Sequence, residues 1–170
     1  MNHKERPGIM SELRNDVLFQ LSVPSVLDRV YTTSAMTELA GVRGENGVRY
    51  GRITRDHERL LLTMVKDACS CLAMELISYL SCCRLDDACL ADGKVDFVLK
   101  LPEGLADGVA MSLRRHMEHA VALNVLESVW LGHDVDMTEY YRGRAVAAVS
   151  AVKSCIRRMP VGPLRLVSHW

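Results

Sequence analysis

The sequence predicts a mainly α-helical protein: a helical bundle of three long helices with a short β-hairpin or strand and a long N-terminal loop. Three observations carry that class. Apolar side chains recur at helical spacing over residues 54–80, 105–130 and 136–159. Between the first two of these segments the period drops to two. Ahead of them, Gly41, Gly44, Gly47 and Gly51 interrupt any regular pattern. At 170 residues the chain is long enough for one domain with its own core. It divides into residues 1–52 (an arm, a short helix and a Gly-rich loop), residues 53–160 (the helical body with a β-strand insert) and a tail of residues 161–170.

Leu105 to Trp130 is the longest apolar-periodic run and is expected to be the helix on which the others pack. Leu105, Val109, Leu113, Met117, Ala120, Val121, Val125 and Val129 make one stripe. Arg114, Arg115, His116, Glu118 and His119 are assigned to the opposite, solvated side. Pro102 precedes the segment and Gly132 follows it, the usual asymmetry of helix start and stop.

From the N-terminus, residues 1–10 lack periodicity and read as an arm. Ser11 is placed to cap a short helix over Glu12 to Leu21, with Leu13, Val17, Leu18 and Leu21 on one face, and Pro24 ends or turns it. Val23 to Gly51 is expected to be mostly loop, with a turn of helix over Thr32 to Leu39. It holds too few periodic apolar residues to offset the roughly 1–2 kcal/mol of backbone entropy per ordered residue, so ordering is expected only in an assembly. Gly41-x-x-Gly44-x-x-Gly47 lacks the Lys-Ser/Thr pair of a phosphate-binding loop.

Thr54 is expected to cap the first long helix, which runs to about Leu80, with Asp56 and Glu58 in its opening turn. Its stripe of Leu61, Val65, Ala68, Cys69, Leu72, Leu76 and Leu80 is widened by Leu60, Met64, Ala73 and Ile77. So wide a face implies a central helix or one that meets another subunit. Val95, Phe97, Leu99 and Leu101 then alternate with Asp96, Val98 and Lys100 as a half-buried strand, and Asp92-Gly93 suggests a hairpin with Asp87 to Ala91. Asp136-Met137-Thr138-Glu139 has the form of a capping box for the last long helix. That helix buries Tyr141, Ala145, Val149, Val152, Ile156 and Met159, and Ala147, Ala148 and Ala151 permit close approach of a neighbour.

Composition narrows the function classes. Apolar residues at 49% and charged residues at 25% describe a folded chain, and 21 basic against 21 acidic residues give none of the excess usual in nucleic-acid-binding domains. No apolar run is long enough to span a membrane. The charged start leads into no apolar stretch, unlike a signal peptide, so a reducing, cytosolic setting is expected. Cys69, Cys71, Cys82, Cys83, Cys89 and Cys155 sit in apolar runs and are read as core residues. They lack zinc-ribbon spacing, and a step of two along a helix turns Cys69 and Cys71 about 200° apart.

His116 and His119, three apart on one helix, suit two ligands of one metal, but two ligands are not a site. Neither a catalytic residue nor a cofactor or metal site is assigned. The interaction candidates are Arg142, Arg144, Lys153, Arg157, Arg158 and Arg165 toward the C-terminus. Cations there complement the helix macrodipole, which is explanation enough; the sharper reading is contact with DNA phosphates or an acidic partner surface.

The strand ending Phe97-Val98-Leu99-Lys100-Leu101-Pro102, the long helix after it, the helix opening Thr138-Glu139-Tyr140-Tyr141 and its close at Ile156-Arg157-Arg158-Met159-Pro160 resemble the head–tail connector or neck completion proteins of tailed phages and prophages. The lead-in Ile53-Thr54-Arg55-Asp56-His57-Glu58-Arg59-Leu60-Leu61 with Ala68-Cys69 resembles that group's first long helix. The likeness spans residues 53–165. It implies a non-enzymatic virion protein, assembled in the host cytoplasm as a homo-oligomeric ring that docks beneath the portal and meets the next neck or tail component. The Gly-rich segment before Ile53 departs from the smallest members. Two other classes stand beside this one: a small cytosolic helical adaptor or regulator that binds a protein partner as a dimer, and an enzyme or metal-binding protein using His116, His119 and a cysteine.

Overall fold

The computed structural model describes residues 14–39, 53–102 and 105–159. The arm over residues 1–10, the Gly41 to Gly51 run, Arg165 and the tail lie outside them. The described chain is mainly helical with a small three-stranded antiparallel sheet. Its elements are β1 (Arg14–Ser22), α1 (Val23–Leu39), α2 (Glu58–Glu75), β2 (Leu80–Arg84), α3 (Asp87–Ala91), β3 (Lys94–Pro102), α4 (Asp107–Trp130) and α5 (Val135–Arg157).

β3 is the middle strand, with β1 on one side and β2 on the other. The expected strand over Val95 to Leu101 is therefore present, one residue longer at each end. Its alternate residues Val95, Phe97, Leu99 and Leu101 are completely buried and face Phe19 and Leu21 across the core side of the sheet. The other side shows Leu18 to solvent.

Of the helix expected over Glu12 to Leu21, the described part, residues 14–21, is not helical: β1 (Arg14–Ser22) occupies it. Val17 and Leu21 are four apart and satisfy a helical period as well as a period of two. Phe19 between them decides for the strand, because it is buried with Leu21 while Leu18 and Gln20 are exposed. Nor is Val23 to Leu39 a loop. It is a regular helix of 17 residues, with Val26, Leu27, Val30 and Ser34 buried on one face. Pro24 opens this helix instead of ending one, since a first-turn proline lacks only an N–H that has no helical partner. The Ser22 hydroxyl accepts the Ser25 amide at 3.2 Å, an N-cap that restores one hydrogen bond to that first turn.

Asp92-Gly93 is not a hairpin turn. Asp87 to Ala91 forms the short helix α3, and β2 is the strand that pairs beside β3. Gly93, at φ +71°, is the left-handed residue that closes α3: its amide reaches the Leu90 carbonyl at 3.0 Å. A Cβ there would also sit 3.3 Å from the Pro24 ring. Chain reversal is common to both roles of an Asp-Gly pair, which is why the dipeptide alone misleads.

α4 is the organising helix. It packs against α1, α2, α5 and β1, and in its second half it is buried nearly all round, with Ala122, Leu123, Val125, Leu126 and Trp130 covered. α2 is correspondingly less central than its wide apolar face suggested; Leu60 and Ile77 on that face are exposed. It follows a single 3-10 turn, Arg55–His57, in which the Thr54 amide donates to His57 Nδ1 at 3.2 Å. Glu118 overturns its assignment to the solvated side: its residue is only 3% exposed. Its carboxylate accepts the Ser22 amide at 3.0 Å and the Ser25 hydroxyl at 3.3 Å, so a buried charge sits on the N-terminus of α1, where the macrodipole favours an anion. Arg114 approaches it at 3.9 Å from one turn earlier.

Gly132, at φ +82°, reverses the chain between α4 and α5. The cap of α5 is Asp134 and not Asp136: its side chain accepts the Met137 amide at 2.9 Å, and its carbonyl accepts the Thr138 hydroxyl at 2.6 Å. Glu139, the would-be partner in a capping box, instead binds Arg142.

Candidate functional site

The five basic candidates among the described residues do not converge. The Arg142 guanidinium donates to Glu127 at 2.8 Å and to Glu139 at 2.6 Å, which holds it against the α4–α5 seam. Lys153 is ion-paired with Glu75 at the end of α2, and Arg157 donates to the Tyr79 hydroxyl at 3.2 Å in the turn after α2. Arg144 lies on another flank of α5, over the Tyr140 ring at 5.5 Å and donating to its hydroxyl at 3.1 Å. Arg158 is exposed, and Arg165 is outside the described residues.

The cysteines are not uniformly core. Cys69 is buried, Cys71 and Cys82 are exposed, and Cys83, Cys89 and Cys155 are half-buried. A sequence run that is apolar on average still alternates in and out of a helix or strand, and β2 is an outer strand with much of its length exposed. Burial pushes the Cys69 thiol up to about 12, with Cys83 adding to the effect. Cys83 is also pushed up to about 12, by burial first and then by Cys82, Asp96 and Cys89. Thiols held this far from ionisation are poor nucleophiles at neutral pH. Among the described residues no group of His, Cys, Asp and Glu is placed to hold a metal ion. His116 is exposed and His119 half-buried.

An open cleft of about 580 Å³ lies between α1, the start of α2 and α3. Pro24, Leu27, Leu62 and Leu90 give it apolar walls, while Asp28, Glu58 and Arg55 bring charges of both signs. The Tyr31 hydroxyl beside it is buried without a hydrogen-bond partner among the described residues, and Tyr31 ionises above its ordinary value because of burial first, then Glu58, with Arg55 opposing.

The most distinctive surface is the outer side of α5. Tyr141, Ala145, Val149, Val152 and Ile156 face the core. On the far side Gly143, Val146, Ala147, Ser150, Ala151 and Ser154 are all exposed, and none is charged. Val146 is 62% exposed. A helix flank left to water ordinarily carries charged and long polar residues. This one carries small residues four apart, Gly143, Ala147 and Ala151, a surface on which another helix backbone can come close. Gly143 is the most informative of them. A Cβ at this position would meet nothing within 4 Å, so no packing within the described chain requires glycine. Yet glycine inside a helix costs roughly 0.5–1 kcal/mol relative to alanine. Ala147 and Ala151 were legible as close-approach residues; that they turn away from α4 was not, and Gly143 at the same spacing completes the stripe.

No protein-family model, curated protein or solved structure matches this chain. The outer side of α5 therefore has to be interpreted from its own chemistry.

Proposed function

We propose that this protein works by assembly and not by catalysis, packing against further copies of itself through the outer side of α5. The observation that carries the reading is Gly143, exposed in the middle of α5 with open space beyond it. Its helical cost is offset only if something outside the chain uses the room. A stripe of small uncharged residues, bordered by the exposed Glu139, Arg144 and Arg158, suits close packing of a second copy's helix.

In line with the resemblance of residues 53–165, the assembly is a homo-oligomeric ring of the phage neck that joins portal to tail. A ring needs two different patches on each subunit, because a repeated head-to-tail contact closes by rotation. Leu131 and Val135, both exposed in the turn at the opposite end of α5 from Arg157, supply a second apolar patch for that purpose. The virion is the expected location, with assembly in the host cytoplasm. Arg158 is the cation of the basic set best placed for DNA phosphates in the channel, since Arg142 and Lys153 are ion-paired and Arg157 is hydrogen-bonded within the chain.

Sedimentation and native mass measurement test this reading. A mass well above two chains is expected, falling to a single chain when Ala147→Glu and Ala151→Glu are combined, while thermal unfolding of the dilute protein stays within about 0.5 kcal/mol of the parent. A species of two chains would replace the ring by the dimeric adaptor. A single chain at all concentrations would remove self-association altogether.

A further inference from the structure

The cleft of about 580 Å³ has a wall from each of α1, the entry to α2 and α3. On α1, Val23, Leu27 and Tyr31 follow one another at four-residue steps with Pro24 and Asp28 beside them, so a single face of that helix makes the first wall. Arg55 and Glu58 stand one turn apart at the entry to α2, and Leu62 continues their face. The third wall is the end of α3. It is held to α1 by the Val23 amide, which donates to the Gly93 carbonyl at 2.9 Å, and the glycine leaves room for the Pro24 ring. None of the described residues that line the cleft belongs to α4 or α5, so it is separate from the assembly surface.

Burial grades across these walls. Val23 and Leu27 are buried, Leu62 and Leu90 half-buried, and Asp28, Arg55 and Glu58 exposed, which gives an apolar bottom under a charged rim. The three rim side chains make no ion pair among the described residues, whereas Lys66, Arg142 and Lys153 are each tied to a carboxylate of the chain. Both signs of charge are thus open to something that enters the cleft. The Tyr31 hydroxyl, covered and unpaired among the described residues, is a polar group that native chains rarely leave unsatisfied. A ligand in the cleft can satisfy it once the ring turns outward.

We propose that this cleft binds a small zwitterion with an apolar side chain, of amino-acid to dipeptide size: its carboxylate on Arg55, its ammonium between Asp28 and Glu58, and its side chain against Leu27, Leu62 and Leu90. The planar guanidinium fork matches the two oxygens of a carboxylate. An ammonium has three donors, so two carboxylates can share it. An apolar acid would leave both rim carboxylates unmet, and an apolar amine would leave the arginine unmet. The cleft volume falls within the range usual for sites that take small molecules, roughly 300–1,000 Å³. A phosphate backbone fits less well, because two of the three rim charges are negative.

The test is titration of the full chain with L-leucine and with leucyl-leucine, read from the NMR shifts of the Leu27, Leu62 and Leu90 methyl groups. Saturable shifts are expected in all three. Leucinamide and isocaproate, which each lack one of the two charges, should bind the parent protein at least about tenfold more weakly, and these analogues need no variant to fold. Arg55 is exposed, so Arg55→Gln should keep the fold, weaken leucine about tenfold and leave leucinamide unaffected. Tyr31→Phe should weaken leucine by a factor of about five. Tighter binding of leucyl-leucine points to a peptide as the ligand, and tighter binding of leucine to a free amino acid. The proposal is overturned if neither zwitterion gives saturable shifts below about 10 mM, if leucinamide or isocaproate binds as tightly as leucine, or if Arg55→Gln and Tyr31→Phe both keep the parental affinity.

Discussion

The two sides of α5 are made of similar material and meet different fates. Tyr141, Ala145, Val149, Val152 and Ile156 are covered by the rest of the chain, while Gly143, Val146, Ala147, Ser150, Ala151 and Ser154, only slightly less apolar, are left to water. What separates them is size. The inner side carries branched and aromatic residues that fill space against α4, and the outer side carries residues that leave space. Volume along a helix therefore distinguishes packing against a fixed neighbour from preparation for a removable one, where hydrophobicity alone does not.

The largest expected effect breaks the inner side. Tyr141→Ala removes a fully buried ring and its 3.0 Å contact with Thr37, and should lower stability by about 3–5 kcal/mol in urea unfolding. A loss below about 1 kcal/mol would mean that the inner side of α5 is no better packed than the outer. Gly143→Ala sharpens the contrast from the other direction. In dilute single chains it should stabilise by about 0.5–1 kcal/mol, because open space surrounds the Cβ, while assembly weakens. A destabilised single chain would show that the chain itself already covers Gly143.

The smallest effect concerns the flank of α5 at Arg144. Burial, followed by Arg29, Arg144 and His116, holds the His119 midpoint below its ordinary 6.5. The folded state thus binds fewer protons at His119 than the unfolded state does. The resulting stability is present above the ordinary value and declines as pH falls through the lowered one. Urea midpoints compared between about pH 7 and about pH 5 should show a part of the decline that vanishes in His119→Asn. An unchanged decline in that variant would assign it to other groups.

Long, strongly periodic elements were legible from the sequence. The stripe through Leu113, Met117 and Val121 located α4, and the alternation through Phe97 and Leu99 located β3. Short or doubly periodic stretches were not. Val17 and Leu21 fit two periods at once, and Asp92-Gly93 serves equally well as a hairpin turn or a helix stop. α1 was hidden because its buried positions, Val26, Leu27, Val30 and Ser34, make only a narrow stripe beside a prominent run of glycines. The candidate surfaces were legible in part. Small residues in α5 were visible in the sequence, but the side to which they turn depends on how α5 seats on α4. The inward turn of Glu118 depends on its long-range anchor to Ser22 and Ser25, which no local pattern encodes.

That anchor, together with the sheet, imposes an order on synthesis. β1 emerges from the ribosome first among the described elements, yet its partner β3 lies about 70 to 90 positions later in the chain. The carboxylate that receives the Ser22 amide is later still, on α4. Val17, Phe19 and Leu21 must therefore wait, apolar and unpaired, while most of the polypeptide is made. A nascent chain of this kind invites chaperone binding at its leading strand, and its refolding after dilution from denaturant is set by the search of β1 for β3 and not by the faster coiling of its helices.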